Sequence, residues 1–301
     1  MARQQHADEH LETGDHHHDH DEPHDHDRGL AHDVAVLNSR LLDRRRVLGI
    51  IGGLGALGAL AACGQSADSG ATASPAASSS AASASASASS SASSASLTEV
   101  PDETAGPYPA DGSNGQNSLD DSGIVRSDIR SSYDISTNVA EGVPLTVRLT
   151  VRDASTGDAL TGAAVYLWHA RRDGKYSLYT LPDENYLRGV QETDSSGTVQ
   201  FTTIYPGCYD GRWPHIHFEV YSSVADATSS GPIVKTSQIA MPKEACEQVY
   251  ATSGYESSVS NLSRTSLSQD MVFGDDGGIH QLATMSGDPS SGYTASLTIG
   301  V

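Results

Sequence analysis

Strict alternation of apolar and polar residues recurs in short stretches between residues 144 and 301, and it limits what this chain can fold into. In PLTVRLTVRD (144–153), Leu145, Val147, Leu149 and Val151 take every second position. AAVYLWHA (163–170), TVQFTTI (198–204), HIHFEVY (215–221), TSQIAM (236–241) and TASLTIGV (294–301) are of the same type. A period of two puts successive side chains on opposite faces of an extended strand. Asp-Gly, Ser-Gly and Pro-Gly pairs punctuate the stretches, and no long segment has helical period. The pattern predicts an all-β domain, an antiparallel β-sandwich with long loops.

The rest of the chain has a different composition. Nine of the 13 histidines lie before residue 33, and alanine and serine dominate residues 71–96. Residues 1–34, with HHHDHDEPHDHD, could chelate metal but read as solvated, disordered filler. Residues 35–62 carry Arg44, Arg45 and Arg46 ahead of the apolar run VLGIIGGLGALGALAA, which is short for a membrane span and suits a twin-arginine signal peptide. LAAC (60–63) resembles a bacterial lipobox, which makes Cys63 the lipidated residue. Residues 63–96 cannot build a core and read as a tether. The expectation is an exported lipoprotein on the outer face of the cell membrane, touching the membrane only through its lipid. The 205 residues of 97–301 suit one domain with a full core. From Cys63 onward there are 12 Lys and Arg against 27 Asp and Glu, so no basic patch is offered to nucleic acid or anionic lipid. With Cys63 assigned to lipid, Cys208 and Cys246 are left as a candidate disulfide in an oxidising compartment.

The chemistry concentrates in PGCYDGRWPHIHFEVY (206–221). On a strand, Ile216, Phe218 and Val220 point into the core, while His215 and His217 share the other face, where two imidazoles can chelate one metal ion. By itself H-x-H describes two surface histidines equally well. Its neighbours add Tyr209, Arg212 and, upstream in DGKYS (173–177), Tyr176. A hard ferric ion favours phenolate oxygen, and a tyrosine with an ordinary pKa of about 10 needs such a charge to ionise near neutrality. Two tyrosinates and a hydroxide neutralise Fe(III), and two neutral imidazoles complete the set. Two other readings stay open. Asp210 with His215 and His217 would imitate the two-histidine, one-carboxylate Fe(II) triad. A non-catalytic, surface-anchored binding sandwich would leave the histidines incidental.

GPYP (106–109), DGKYS (173–177), TDSSGTVQFTTIYPGCY (193–209) and GRWPHIHFEV (211–220) together resemble the intradiol ring-cleavage dioxygenases, in their smaller extracellular branch. The resemblance implies a β-sandwich holding non-haem Fe(III) through Tyr176, Tyr209, His215 and His217. It implies that Tyr209 leaves the metal when a catechol binds, and that Arg212 supplies fixed positive charge. It implies O2-dependent cleavage of catechol-type rings between the two hydroxylated carbons, giving cis,cis-muconate-type products. Gln238, in TSQIAMP (236–242), and Tyr108 and Trp213 would line the substrate pocket. Tyr166, Tyr179, Tyr186 and Tyr205 are expected as core or rim aromatics, and His169 as a packing residue. Only six residues separate Tyr209 from His215, which implies a trimmed loop, and the tether stands where catechol 1,2-dioxygenases carry a helical dimerisation region.

Overall fold

The computed structural model describes residues 97–301; the His-rich region, the signal segment, Cys63 and the tether lie outside the described residues. Eight strands form: β1 (Pro144–Arg152), β2 (Ala164–Trp168), β3 (Arg188–Glu192), β4 (Thr198–Ile204), β5 (His215–Tyr221), β6 (Ile233–Ala240), β7 (Thr284–Asp288) and β8 (Gly292–Gly300). They make two four-stranded sheets, ordered β4-β1-β8-β7 and β3-β2-β5-β6. The alternating residues meet between them. Leu145, Val147, Leu149, Val151, Val199, Phe201, Ala295 and Ile299 of the first sheet pack on Val165, Leu167, Ile216, Phe218, Val220 and Ile239 of the second. Burial of apolar area at this interface is the main favourable term in folding.

Three features depart from the expectation. The β1–β8 pair is parallel, because β8 returns to the first sheet after a long excursion and enters between β1 and β7. Short helices form: α1 (Val224–Ala227) between β5 and β6, and α2 (Lys243–Tyr250) and α3 (Glu256–Leu262) after β6. In α2 the residues Ala245, Cys246, Val249 and Tyr250 form the buried face, but two turns in a polar context are too short to register as a period. Finally, Cys208 and Cys246 are both buried free thiols, so the candidate disulfide is not formed. The Cys246 Sγ sits 3.2 Å from the Tyr205 hydroxyl, while the Cys208 Sγ faces the Arg212 carbonyl at 3.5 Å.

β5 is buried along its whole length, on both faces. Its inner residues enter the sandwich core. Its outer residues His215, His217, Glu219 and Tyr221 are covered by the segment before β1 and by the loop between β2 and β3. The cover is pinned by hydrogen bonds. The Glu103 N–H donates to the Thr236 carbonyl, and the Arg188 guanidinium donates to the carbonyls of Tyr108 and Pro109. No helix among the described residues is long and apolar enough to cross a membrane.

Phe218 is fully buried at the centre of the inter-sheet core. Phe218→Ala is expected to lower the unfolding free energy by about 3–5 kcal/mol, measured by urea titration against the unaltered chain.

Candidate metal centre

Two histidines of β5 start the site. His217 lies in register with Trp168 of β2 and Gln238 of β6, so all three project from the outer face of the second sheet. The Trp168 indole stacks on the His217 ring, with centroids 4.9 Å apart and planes 5° apart. From above, Gly106 closes the other side, and a Cβ there would stand 3.1 Å from the imidazole Cε1. The His215 Nδ1 bonds the Trp213 carbonyl, which leaves Nε2 as the ring nitrogen with a lone pair.

The two tyrosines arrive on turns that pack against each other. Tyr176 follows Gly174, which has φ +84° and whose added Cβ would lie 3.1 Å from the Tyr209 Cβ. Tyr209 follows the Pro206-Gly207 turn, where a Cβ on Gly207 would sit 2.5 Å from the Arg172 carbonyl oxygen. Both glycines are therefore required for the close approach. The Tyr176 and Tyr209 rings meet edge to face at 6.0 Å. The donor atoms converge: His215 Nε2 to His217 Nε2 is 3.0 Å, Tyr176 Oη to His217 Nε2 3.3 Å, and Tyr209 Oη to His215 Nε2 3.4 Å.

This donor set fits a hard cation. Burial, then the nearby Arg212, pushes His215 down to about 3, and burial with the neighbouring His215 pushes His217 far below the ordinary range. Both rings are neutral near pH 7. Two neutral imidazoles facing Nε2 to Nε2 can share only one proton, and His217 Nδ1 has no hydrogen-bond partner. A cation between them engages both lone pairs, and the phenolic oxygens supply the hard ligands that iron(III) prefers. Among the described residues no three of His, Cys, Asp and Glu come together as a metal-holding group, so the phenols are essential to any such site. Asp210, the carboxylate of the Fe(II) alternative, is exposed and pairs with Arg264 at 2.8 Å, away from the histidines.

Arg212 lies fully buried beside the donors. Its Nη1 is 3.5 Å from the Tyr209 hydroxyl, and its Nη2 donates to Gln238 Oε1 at 2.7 Å. Gln238 in turn donates to the Thr104 carbonyl, holding the GPYP segment over the centre. Tyr108 of that segment packs on Tyr176 and Tyr179, each at 5.0 Å. Trp213 packs into the cluster of Ala240, Val272 and Phe273 and donates its indole N–H to the Met241 carbonyl. Tyr166, Tyr179, Tyr186 and Tyr205 bond Pro109, Asn114, Arg171 and Cys246 respectively, outside the donor set. His169 bonds Ala170 and Thr203 and does not join it.

Two residues of the site escape the sequence reading. Arg188, 1 % exposed, ties the cover down. Asp270 bonds Arg212 at 3.0 Å from a position far downstream. Burial alone would raise the Asp270 carboxyl, but Arg212 and the Trp213 N–H hold it below its ordinary value. Neither residue belongs to a local pattern.

A family model described as Dioxygenase matches residues 128–217, a span that contains all four donors. The chain is 40% identical over 62 residues to a chlorocatechol 1,2-dioxygenase of Rhodococcus opacus, covering 20% of this chain and 24% of that one. It is 33% identical over 96 residues to the chlorocatechol 1,2-dioxygenase of Pseudomonas putida, covering 26% and 36%. The matches thus span about a quarter and a third of these curated relatives. A solved intradiol ring-cleavage dioxygenase from Tetranychus urticae superposes with a TM-score of 0.53 and 26% identity, over 68% of this chain and 94% of that one. Together these matches point to the intradiol ring-cleavage dioxygenase family. A titratable carboxyl also lies within electrostatic reach of Arg212: burial pushes Glu103 up to about 7, with Asp275 and Asp276 adding to the rise and Gln281 and Arg212 opposing it.

The sign of the Glu103 effect on stability follows. Below pH 4.5, its ordinary value, the carboxyl is protonated in both states and contributes nothing; as pH rises to about 7 the unfolded chain loses its proton first, so stability falls. Glu103→Gln should be near neutral in thermal midpoint at pH 4 and stabilising at pH 8, read by calorimetry at both pH values.

Proposed function

We propose that this chain is a non-haem Fe(III) dioxygenase that cleaves catechol-type rings between their two hydroxylated carbons with O2, giving cis,cis-muconate-type products. The observation that carries the reading is the convergence of Tyr176, Tyr209, His215 and His217 in a buried pocket. Iron(III), when bound, would draw electron density from a chelated catecholate and make the ring reactive toward O2.

The chain's own residues supply the rest. Tyr209 Oη is placed to take up a catechol proton. Arg212 holds a fixed positive charge within 3.5 Å of that oxygen and favours the anionic forms beside it. Tyr108 and Tyr176 offer aromatic faces to the ring. The cover held by Gln238 and Arg188 keeps water from the centre. Arg212 is already engaged by Asp270 and Gln238, and the Glu103 carboxyl, itself beside Asp275 and Asp276, lies within electrostatic reach of it. That balance favours catechols without a carboxylate substituent. The same proposal places the domain outside the cell, exported by the signal segment and anchored by lipid on Cys63.

The ferric protein should be burgundy from tyrosinate charge transfer, and anaerobic catechol should shift the band to longer wavelength. Tyr209→Phe should move the band and cut kcat about 100-fold or more. A colourless protein that holds a full complement of iron rejects tyrosinate ligation. Labelled fatty acid should enter the chain in a bacterial host and be lost in Cys63→Ser.

A further inference from the structure

One buried carboxylate grips both Arg212 and the peptide that follows it. Asp270 is 3 % exposed. Its Oδ2 accepts from Arg212 Nε at 3.0 Å and from the Trp213 N–H at 2.6 Å. Its Oδ1 accepts from Arg212 Nη2 at 3.4 Å, from the Val272 N–H at 2.9 Å and from the Phe273 N–H at 3.3 Å. An ionised carboxylate is well satisfied by such a set of donors. Two consequences reach the metal centre. With Nε and Nη2 taken by Asp270 and Gln238, the planar guanidinium is oriented so that Nη1 is the nitrogen facing Tyr209. The Trp213 backbone, held by its N–H, carries in its next peptide group the carbonyl that bonds His215 Nδ1 and so sets which nitrogen of that ring carries the lone pair.

We infer that Asp270 is a positioning residue of the reaction: it aims Arg212 at the Tyr209 oxygen and, through the Trp213 backbone, fixes the orientation of His215. The role rests on the function proposed above. It goes further along the same line of contacts, because Arg212 bonds Gln238, and Gln238 bonds the Thr104 carbonyl of the cover. A carboxylate on the loop before β7 thus sets a ligand tyrosine, a ligand histidine and the lid together. A merely structural Asp270 would staple its loop to the sheet and leave the chemistry of folded molecules alone.

The test is a double-mutant cycle on iron-loaded protein with catechol, each rate expressed per bound iron. Asp270→Asn keeps the shape and removes the charge. The expected result is a fall in kcat of about 10–100-fold with KM changed less than about threefold, and a displaced tyrosinate band. In an Arg212→Met background the same substitution should cost kcat clearly less than it does in wild type, because only the route through the Trp213 backbone to His215 remains. Losses that multiply across the two backgrounds overturn the inference. So does an Asp270→Asn protein whose thermal midpoint falls while its kcat per iron and its band stay at wild-type values. If Asp270→Asn does not fold, Asp270→Glu, which keeps the charge and displaces it, takes its place in the cycle with the same criteria. An iron-loaded wild type that turns over no catechol removes the proposed function and this role with it; an active wild type with an unaffected Asp270 variant removes the role alone.

Discussion

On a strand with no face open to water, every polar group left without a partner is costly, and β5 carries His215, His217 and Glu219 on its outer side. That constraint organises the site. The inner residues of β5 are ordinary sandwich core. The outer ones would be costly to bury on their own, and the chain brings loops across them whose backbone and side chains supply partners. Trp213 and Trp168 fix the imidazoles from below and from the side, Gly106 closes from above, and the tyrosine turns approach from the edge. The lowered pKa values of both histidines are the electrostatic expression of the same burial. Neutral nitrogens aimed at one another are a poor arrangement for a protein alone and a good one for a protein with a cation.

The glycines of the two turns show how little tolerance the arrangement has. Gly207 and Gly174 matter for the space a missing Cβ leaves, in one case to a carbonyl and in the other to Tyr209 itself. The tyrosines are delivered by backbone packed on backbone, which is stiffer than delivery by long side chains. Arg212 is different. It is a long, flexible cation, and its orientation is imposed by what surrounds it.

Much of this was legible before any coordinates. Period-two alternation marked six of the eight strands, and the registers of D-G-K-Y, P-G-C-Y and H-I-H marked the side chains that converge. What stayed hidden has a common physical cause. Arg188 and Asp270 act across large sequence separations, bonding Tyr108 and Arg212 from positions with no repeat and no motif of their own. The parallel pairing of β8 is likewise a property of topology, because alternation states which face is buried and is silent on strand direction. The packing of Trp213 on Ala240, Val272 and Phe273 was equally unreadable, since a tryptophan beside a metal strand has the same spacing whether it lines a pocket or fills a gap behind one. The free thiols reflect orientation, which no count of cysteines contains.

The position of β8 has a consequence for how the molecule is made. Leu145 pairs with Tyr293 and Arg152 with Gly300, so the first sheet is joined through contacts between distant parts of the chain. While a ribosome is still adding residues, β1 has only β4 beside it, and the inner face that should close on Phe218 and Val220 is half built. β7 must wait as well, since among the described residues its only strand partner is β8. The sandwich can therefore close only after synthesis has passed residue 300, and until then the nascent chain exposes a wide apolar face that needs a chaperone or a rapid release to keep it from aggregating.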